Sequence, residues 1–269
     1  MVKKRLVFTL LHDGEDFVLS RNFRLQKVGN LEWLRKNYRF ENTARSIDEL
    51  IILNVNRDPT SISTFAEVLK AVTHGCFVPV SAGGGVRSTE DAALLLRSGA
   101  DKIVLNTILH TDMDTVKNIS LKFGQQCIVA SVDVLTSGNG DFRSYYQNGV
   151  TPSVKTVIEL LVDLQNGPIG ELYLNAIHRD GTGQGYDINL LDLLPKGFNK
   201  PVILAGGVGN SEHFHKGLMD GRVDAVATAH LFNFVGDGLA RARENLKKNG
   251  HVFPQWDYAQ GIDSKRQGG

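Results

Sequence analysis

Residues Val80 to Thr107 read VSAGGGVRSTEDAALLLRSGADKIVLNT, and the reading of this stretch decides the fold. Phe77-Val78-Pro79-Val80 supplies the run of one apolar strand, and Lys102-Ile103-Val104-Leu105 supplies the next. Between them, Thr89 to Arg97 places Ala92, Leu95 and Leu96 at helical spacing. Gly83, Gly84 and Gly85 let the backbone turn sharply and bring bare N–H groups to the helix start, which suits a phosphate. A single glycine triplet is equally well explained as an ordinary strand-to-helix turn.

The chain makes the same move twice. Glu49-Leu50-Ile51-Ile52-Leu53-Asn54 recurs as Glu171-Leu172-Tyr173-Leu174-Asn175, and Gly84-Gly85-Val86 recurs as Gly206-Gly207-Val208, both with an offset of 122. Asp101-Lys102-Ile103-Val104 recurs as Asp224-Ala225-Val226-Ala227, 123 residues on. Three matches at nearly one offset indicate a duplicated half of several βα units. Two four-unit halves make an α/β fold, a (βα)8 TIM barrel, which gathers its strand-end loops on one face. Two glycine cradles across that face imply a ligand with a phosphate at each end.

Composition bounds the rest. The 269 residues, 42% hydrophobic with 28 glycines, suit a single barrel over residues 1–252, followed by a C-terminal extension, 253–269, with a disordered end. A formal net charge of +1 gives no push toward nucleic acid or a membrane. Cys76 and Cys127 lie in or beside apolar runs and read as buried thiols of a reducing compartment. The N-terminal stretch has no apolar run of signal or spanning length, so a cytoplasmic location is expected. His213 and His215 sit two apart on an expected helix and face different ways, so no metal is expected, and no cofactor.

In chain order, strands are expected at Arg5–Leu11, Glu49–Val55, Cys127–Asp133, Pro201–Ala205 and Asp224–Thr228. Helices are expected at Leu31–Arg39, Ser63–Thr73, Thr115–Lys122, Val154–Leu164 and Val235–Lys248. Phe17–Leu19 with Asn22–Arg24 reads as a hairpin or mobile loop, either a lid or a surface feature of no consequence. Residues 137–150 read as a second excursion over the same face. Asp133 ends an apolar strand where barrel enzymes keep their chemistry, which favours catalysis over capping. In Asp180-Gly181-Thr182-Gly183, Thr182 can offer hydroxyl and amide to a phosphate.

Gly83-Gly84-Gly85-Val86-Arg87-Ser88, Ser131-Val132-Asp133, Arg179-Asp180-Gly181-Thr182 and Gly206 to Phe214 resemble the cyclase subunit of imidazole glycerol phosphate synthase. The likeness runs through most of the chain, in order and with few gaps. It implies a (βα)8 barrel docked on a glutaminase subunit as a heterodimer. In that family ammonia passes through the barrel and attacks a bis-phosphorylated formimino intermediate, giving imidazole glycerol phosphate and an aminoimidazole carboxamide ribotide. The resemblance places one phosphate site on Gly84, Gly85, Asn106 and Thr107, and the other on Asp180, Gly181, Thr182, Gly206 and Gly207. It places an ammonia gate on Arg5, Glu49, Lys102 and Glu171. Any one strand-start charge could be rim solvation; four matching in type favour the gate.

The catalytic face departs from the family pattern. Of two acid–base aspartates, Asp133 fills the second place, while the first falls on Leu11 with Asp13 two residues on. The first-loop lysine falls on Leu19, two acidic strand ends fall on Asn54 and His178, and a serine near the second phosphate falls on His230. Leucine exchanges no proton, so either Asp13 or His178 has taken over or ring closure is not this protein's task. His178 is the candidate proton carrier near neutral pH, and His230 a candidate phosphate partner. Three functions remain: a divergent paralogue that receives ammonia for sugar amidation with a surface-sugar amidotransferase, a working histidine-biosynthesis cyclase, or a non-catalytic phosphate-ligand-binding activator. The resemblance and Leu11 favour the first.

Overall fold

The computed structural model describes residues 3–37, 46–56, 62–74, 76–230 and 237–254. Eight parallel strands close on themselves. In chain order they are β1 (Arg5–His12), β4 (Glu49–Asn54), β5 (Val80–Gly83), β6 (Lys102–Leu105), β7 (Ile128–Thr136), β10 (Glu171–Ala176), β11 (Val202–Ala205) and β12 (Ala225–Thr228). Each pairs with the next, and β12 pairs with β1 to complete the ring. These strands are near-continuous runs of buried Val, Ile, Leu and Ala, as expected of a parallel sheet covered by helices. The covering helices include α1 (Leu31–Asn37), α2 (Ile62–Thr73), α3 (Thr89–Arg97), α4 (Thr107–Thr111), α5 (Met113–Phe123), α6 (Val157–Asn166), α7 (Ser211–Met219) and α8 (Gly238–Lys248). The fold is thus the expected (βα)8 barrel.

The duplication is written into the hydrogen bonds. Asp101 accepts from Val80 N at 2.8 Å while its own N–H donates to Val80 O at 2.7 Å. Asp224 repeats both bonds with Val202, each at 2.9 Å. The first strand of each half also extends into a hairpin. After β1 come β2 (Phe17–Arg21) and β3 (Arg24–Gly29); after β7 come β8 (Phe142–Tyr146) and β9 (Thr151–Pro152).

Several boundaries move. The strand expected from Phe77 begins at Val80, and Phe77 is 66% exposed. Pro79 has no N–H to give a ladder, although its carbonyl accepts from Leu50 N at 3.0 Å. The α6 helix starts at Val157 behind a Thr156–Glu159 capping box, leaving Val154 outside it and fully exposed. Asp133 lies within β7, which runs on to Thr136 because β8 pairs with its end. Both cysteines are half-buried rather than buried. Phe253, the first residue of the expected extension, is buried beneath the Arg243 guanidinium at 4.6 Å. Residues 255–269, the end of the helix expected to Arg39 and the start of that expected from Val235 lie outside the described residues.

At the strand-start end, Arg243 on α8 forms a buried fork on Asp48, with both bonds at 2.7 Å, and Asp48 also accepts from Leu6 N at 2.8 Å. Removing one member leaves the other charge buried without its partner. Arg243→Met is expected to lower stability by about 3–5 kcal/mol. A urea unfolding midpoint unchanged from the parent would contradict this role.

Candidate functional site

At the strand-end face the loops surround a cavity of about 1660 Å³. Nine of the ten residues expected to hold phosphate line it: Gly84, Gly85, Asn106, Thr107, Asp180, Gly181, Gly206, Gly207 and His230. Thr182 does not; its hydroxyl donates to Arg179 O at 2.7 Å within the turn. The two glycine turns match in backbone, with φ of +91° and +81° at Gly84 and Gly85 against +87° and +106° at Gly206 and Gly207. Only glycine fits here. A Cβ on Gly84 would stand 2.0 Å from Asn54 O, and one on Gly207 would stand 2.2 Å from Gly185 O. Each turn leads into a capped helix, with Ser88 and Asp91 capping α3 reciprocally and Asn210 capping α7.

Asp133 lines the same cavity and is clamped on both oxygens. Asn175 Nδ2 donates to Oδ1 at 2.9 Å, and Asn106 Nδ2 donates to Oδ2 at 3.1 Å. Burial raises its pKa to about 7, opposed by the Asn175 bond and assisted by the negative charge of Asp180. The Asn106 amide, which the resemblance places at a phosphate, also donates to Ser131 O at 3.0 Å. Neither asparagine clamp was legible in the sequence, because only strand register brings these side chains together. Leu11, Leu19 and Leu53 line the cavity beside polar residues that include Thr9, Asn54 and Tyr173.

The two expected replacements for the missing carboxylate lie elsewhere. Asp13 accepts from Glu15 N at 3.1 Å and Asp16 N at 2.9 Å, closing its own turn, and does not line the cavity. His178 also lies outside the lining; its Nε2 is 3.2 Å from Asp187 Oδ2, and its Nδ1 accepts from Thr136 N at 3.4 Å. His230 does line the cavity, and burial lowers its pKa against the pull of Asp180. Asp180 in turn is held by Ser20 and the Phe23 N–H from the β2–β3 hairpin, contacts the sequence did not reveal. Burial raises its pKa despite these donors. Among the described residues no His/Cys/Asp/Glu group could hold a metal ion.

At the opposite end the four strand-start charges meet. Arg5 bonds Glu49 at 2.8 Å and also bonds Glu171, while Lys102 reaches Glu49 at 3.2 Å and Glu171 at 3.0 Å. The result is a closed ring of alternating sign. Burial favours the neutral forms of Arg5, Lys102 and Glu171, but their mutual attraction outweighs it and keeps all three charged.

Burial gives Asp133 a pH signature. Its folded pKa lies above the usual carboxylate value near 3.9, so its contribution to stability is full below about pH 4 and is lost as pH rises through about 7. Carboxyl-carbon NMR is expected to show a midpoint near 7 for Asp133. Asn175→Ala removes a donor to the charged form and is expected to move that midpoint higher. A midpoint near 4 would contradict the burial account.

Comparison with known proteins agrees with this architecture. The family described as "Histidine biosynthesis protein" matches residues 34–236. A protein of Parasynechococcus marenigrum, provisionally named imidazole glycerol phosphate synthase subunit hisF2, is 44% identical over 252 residues, covering 94% of this chain and 93% of its own. The imidazole glycerol phosphate synthase subunit HisF of Dictyoglomus thermophilum is 32% identical, covering 93% of this chain and 98% of its own. That of Dehalococcoides mccartyi is 33% identical, covering 93% and 97%. With its duplicated barrel and paired glycine turns, the chain belongs to the histidine biosynthesis protein family, in the group of imidazole glycerol phosphate synthase HisF subunits.

Proposed function

We propose that this barrel receives ammonia from a glutaminase subunit at its charged end and holds a bis-phosphorylated ligand at its mouth. In this reading Arg5, Glu49, Lys102 and Glu171 form the gate. The closed ring is the observation that carries it. Four charges in a shared, largely buried position are costly to hold, and hydrophobic residues would close the barrel at least as well. A barrel that only bound a ligand would have no use for such an entrance. The paired Gly84-Gly85 and Gly206-Gly207 turns support two phosphate cradles some way apart across one cavity.

The chemistry at the mouth is proposed to have diverged. A two-carboxylate ring closure needs an acid and a base, and in this reading the place of the partner of Asp133 is taken by Leu11, which lines the cavity and exchanges no proton. The proposed role is delivery of ammonia for amidation of a sugar by a partner amidotransferase. This acceptor rests on the resemblance to divergent paralogues. A second reading, a working cyclase, draws support from Asp133 alone, since a carboxyl with pKa about 7 both gives and takes protons near neutral pH.

Isothermal titration with a histidine-biosynthesis glutaminase subunit, with and without the formimino bis-phosphate, tests this. The expected outcome is a one-to-one complex in which the bis-phosphate binds but is not consumed with free ammonia. Consumption that Asp133→Asn abolishes would install the working cyclase instead. Absence of any complex would overturn the ammonia reading.

A further inference from the structure

The β2–β3 hairpin carries cations at both ends, and only one end is neutralised. Toward its base, Lys27 Nζ lies 2.7 Å from Glu15 Oε2 and 3.4 Å from Asp16 Oδ2. At its tip Arg21 and Arg24 are cross-strand partners, both exposed and both lining the mouth cavity. Among the described residues neither guanidinium has a hydrogen bond or ion pair. Like charges directly opposite across a ladder repel one another unless an anion lies between them.

The tip is also held in place. Asn22 N donates to Asp180 O at 2.9 Å, Asn22 Nδ2 to His178 O at 2.9 Å, and Phe23 N to Asp180 Oδ2 at 3.2 Å. Asn22 and Phe23 take φ of +51° and +61°, a region that non-glycine residues enter only when their surroundings demand it. So the hairpin holds Arg21 and Arg24 as cross-strand partners at the cavity rim.

We propose that Arg21 and Arg24 form a third anion subsite at this rim, for a phosphate or carboxylate that the ligand carries beyond the two glycine cradles. The guanidinium fork suits either group, because both present paired oxygens in one plane. The ligand class is then a bis-phosphate extended by a further acidic group. The inference rests on reading the cavity as a phosphate-ligand site, and its test separates the two.

The full chain, labelled with nitrogen-15, is titrated with inorganic phosphate, with sodium acetate and with sodium chloride at matched ionic strength. The arginine Nε–Hε signals of Arg21 and Arg24 report the rim, and the Gly85 and Gly207 amides report the cradles. Saturable shifts at both arginines with phosphate or acetate, absent with chloride, are expected, and the stronger of the two assigns the group. Arg24→Gln is expected to weaken the response at Arg21 by about tenfold while leaving the glycine amides unchanged. Arginine shifts that only follow ionic strength, beside saturating glycine amides, would overturn the rim subsite and leave the cradles standing. Silent glycine amides beside saturating arginines would sink the cradles and leave the rim.

Discussion

A closed parallel barrel has no free edge, so every strand delivers its inward side chains to one shared lumen. That constraint sorts this sequence into layers. The charged ring of Arg5, Glu49, Lys102 and Glu171 stands at the strand starts. Above it Val7, Ile51, Val129, Ile203 and Ala225 belong to one buried apolar cluster. Next come the hydroxyls of Thr9 and Tyr173, 3.4 Å apart, at the floor of the mouth cavity. Asp133 with its two asparagines lies higher on the same wall.

The balance of charge against burial differs between the two ends. In the ring every charge has two opposite neighbours, and at Arg5, Lys102 and Glu171 attraction outweighs desolvation and favours the charged form. At the mouth Asp133 has amide donors but no cation, and Asp180 adds a like charge. Burial therefore wins and the carboxyl is poised near neutrality. The same barrel thus fixes charge at one end and leaves a proton exchangeable at the other. Leu11, which lines the cavity, falls where the resemblance places the first of two carboxylates, and it exchanges no proton.

What the sequence revealed follows physical need. Positive φ at the two turns demands glycine, and a duplicated half repeats that demand 122 residues on, so the paired glycine turns and the barrel were legible together. The Asp101 and Asp224 bonds that seat the strands repeated for the same reason. The ring was legible only through resemblance, because one strand-start charge looks like rim solvation until four meet in space. Side-chain direction was not legible at all. Asp13 turned into its own loop, where neighbouring N–H groups lay closer than the cavity, and His178 turned to Asp187. The clamp of Asn106 and Asn175 depends on registers between β6, β7 and β10, which no local pattern records.

The proposed loss of ring closure rests on Leu11 standing where an acid–base group is needed. Substituting Leu11→Asp and following free-ammonia-dependent loss of the formimino bis-phosphate tests it most directly, with circular dichroism confirming the fold. The account predicts no turnover by the parent and measurable turnover by the variant, abolished again when Asp133→Asn is added. Turnover by the parent at a rate that Leu11→Asp does not raise would contradict it.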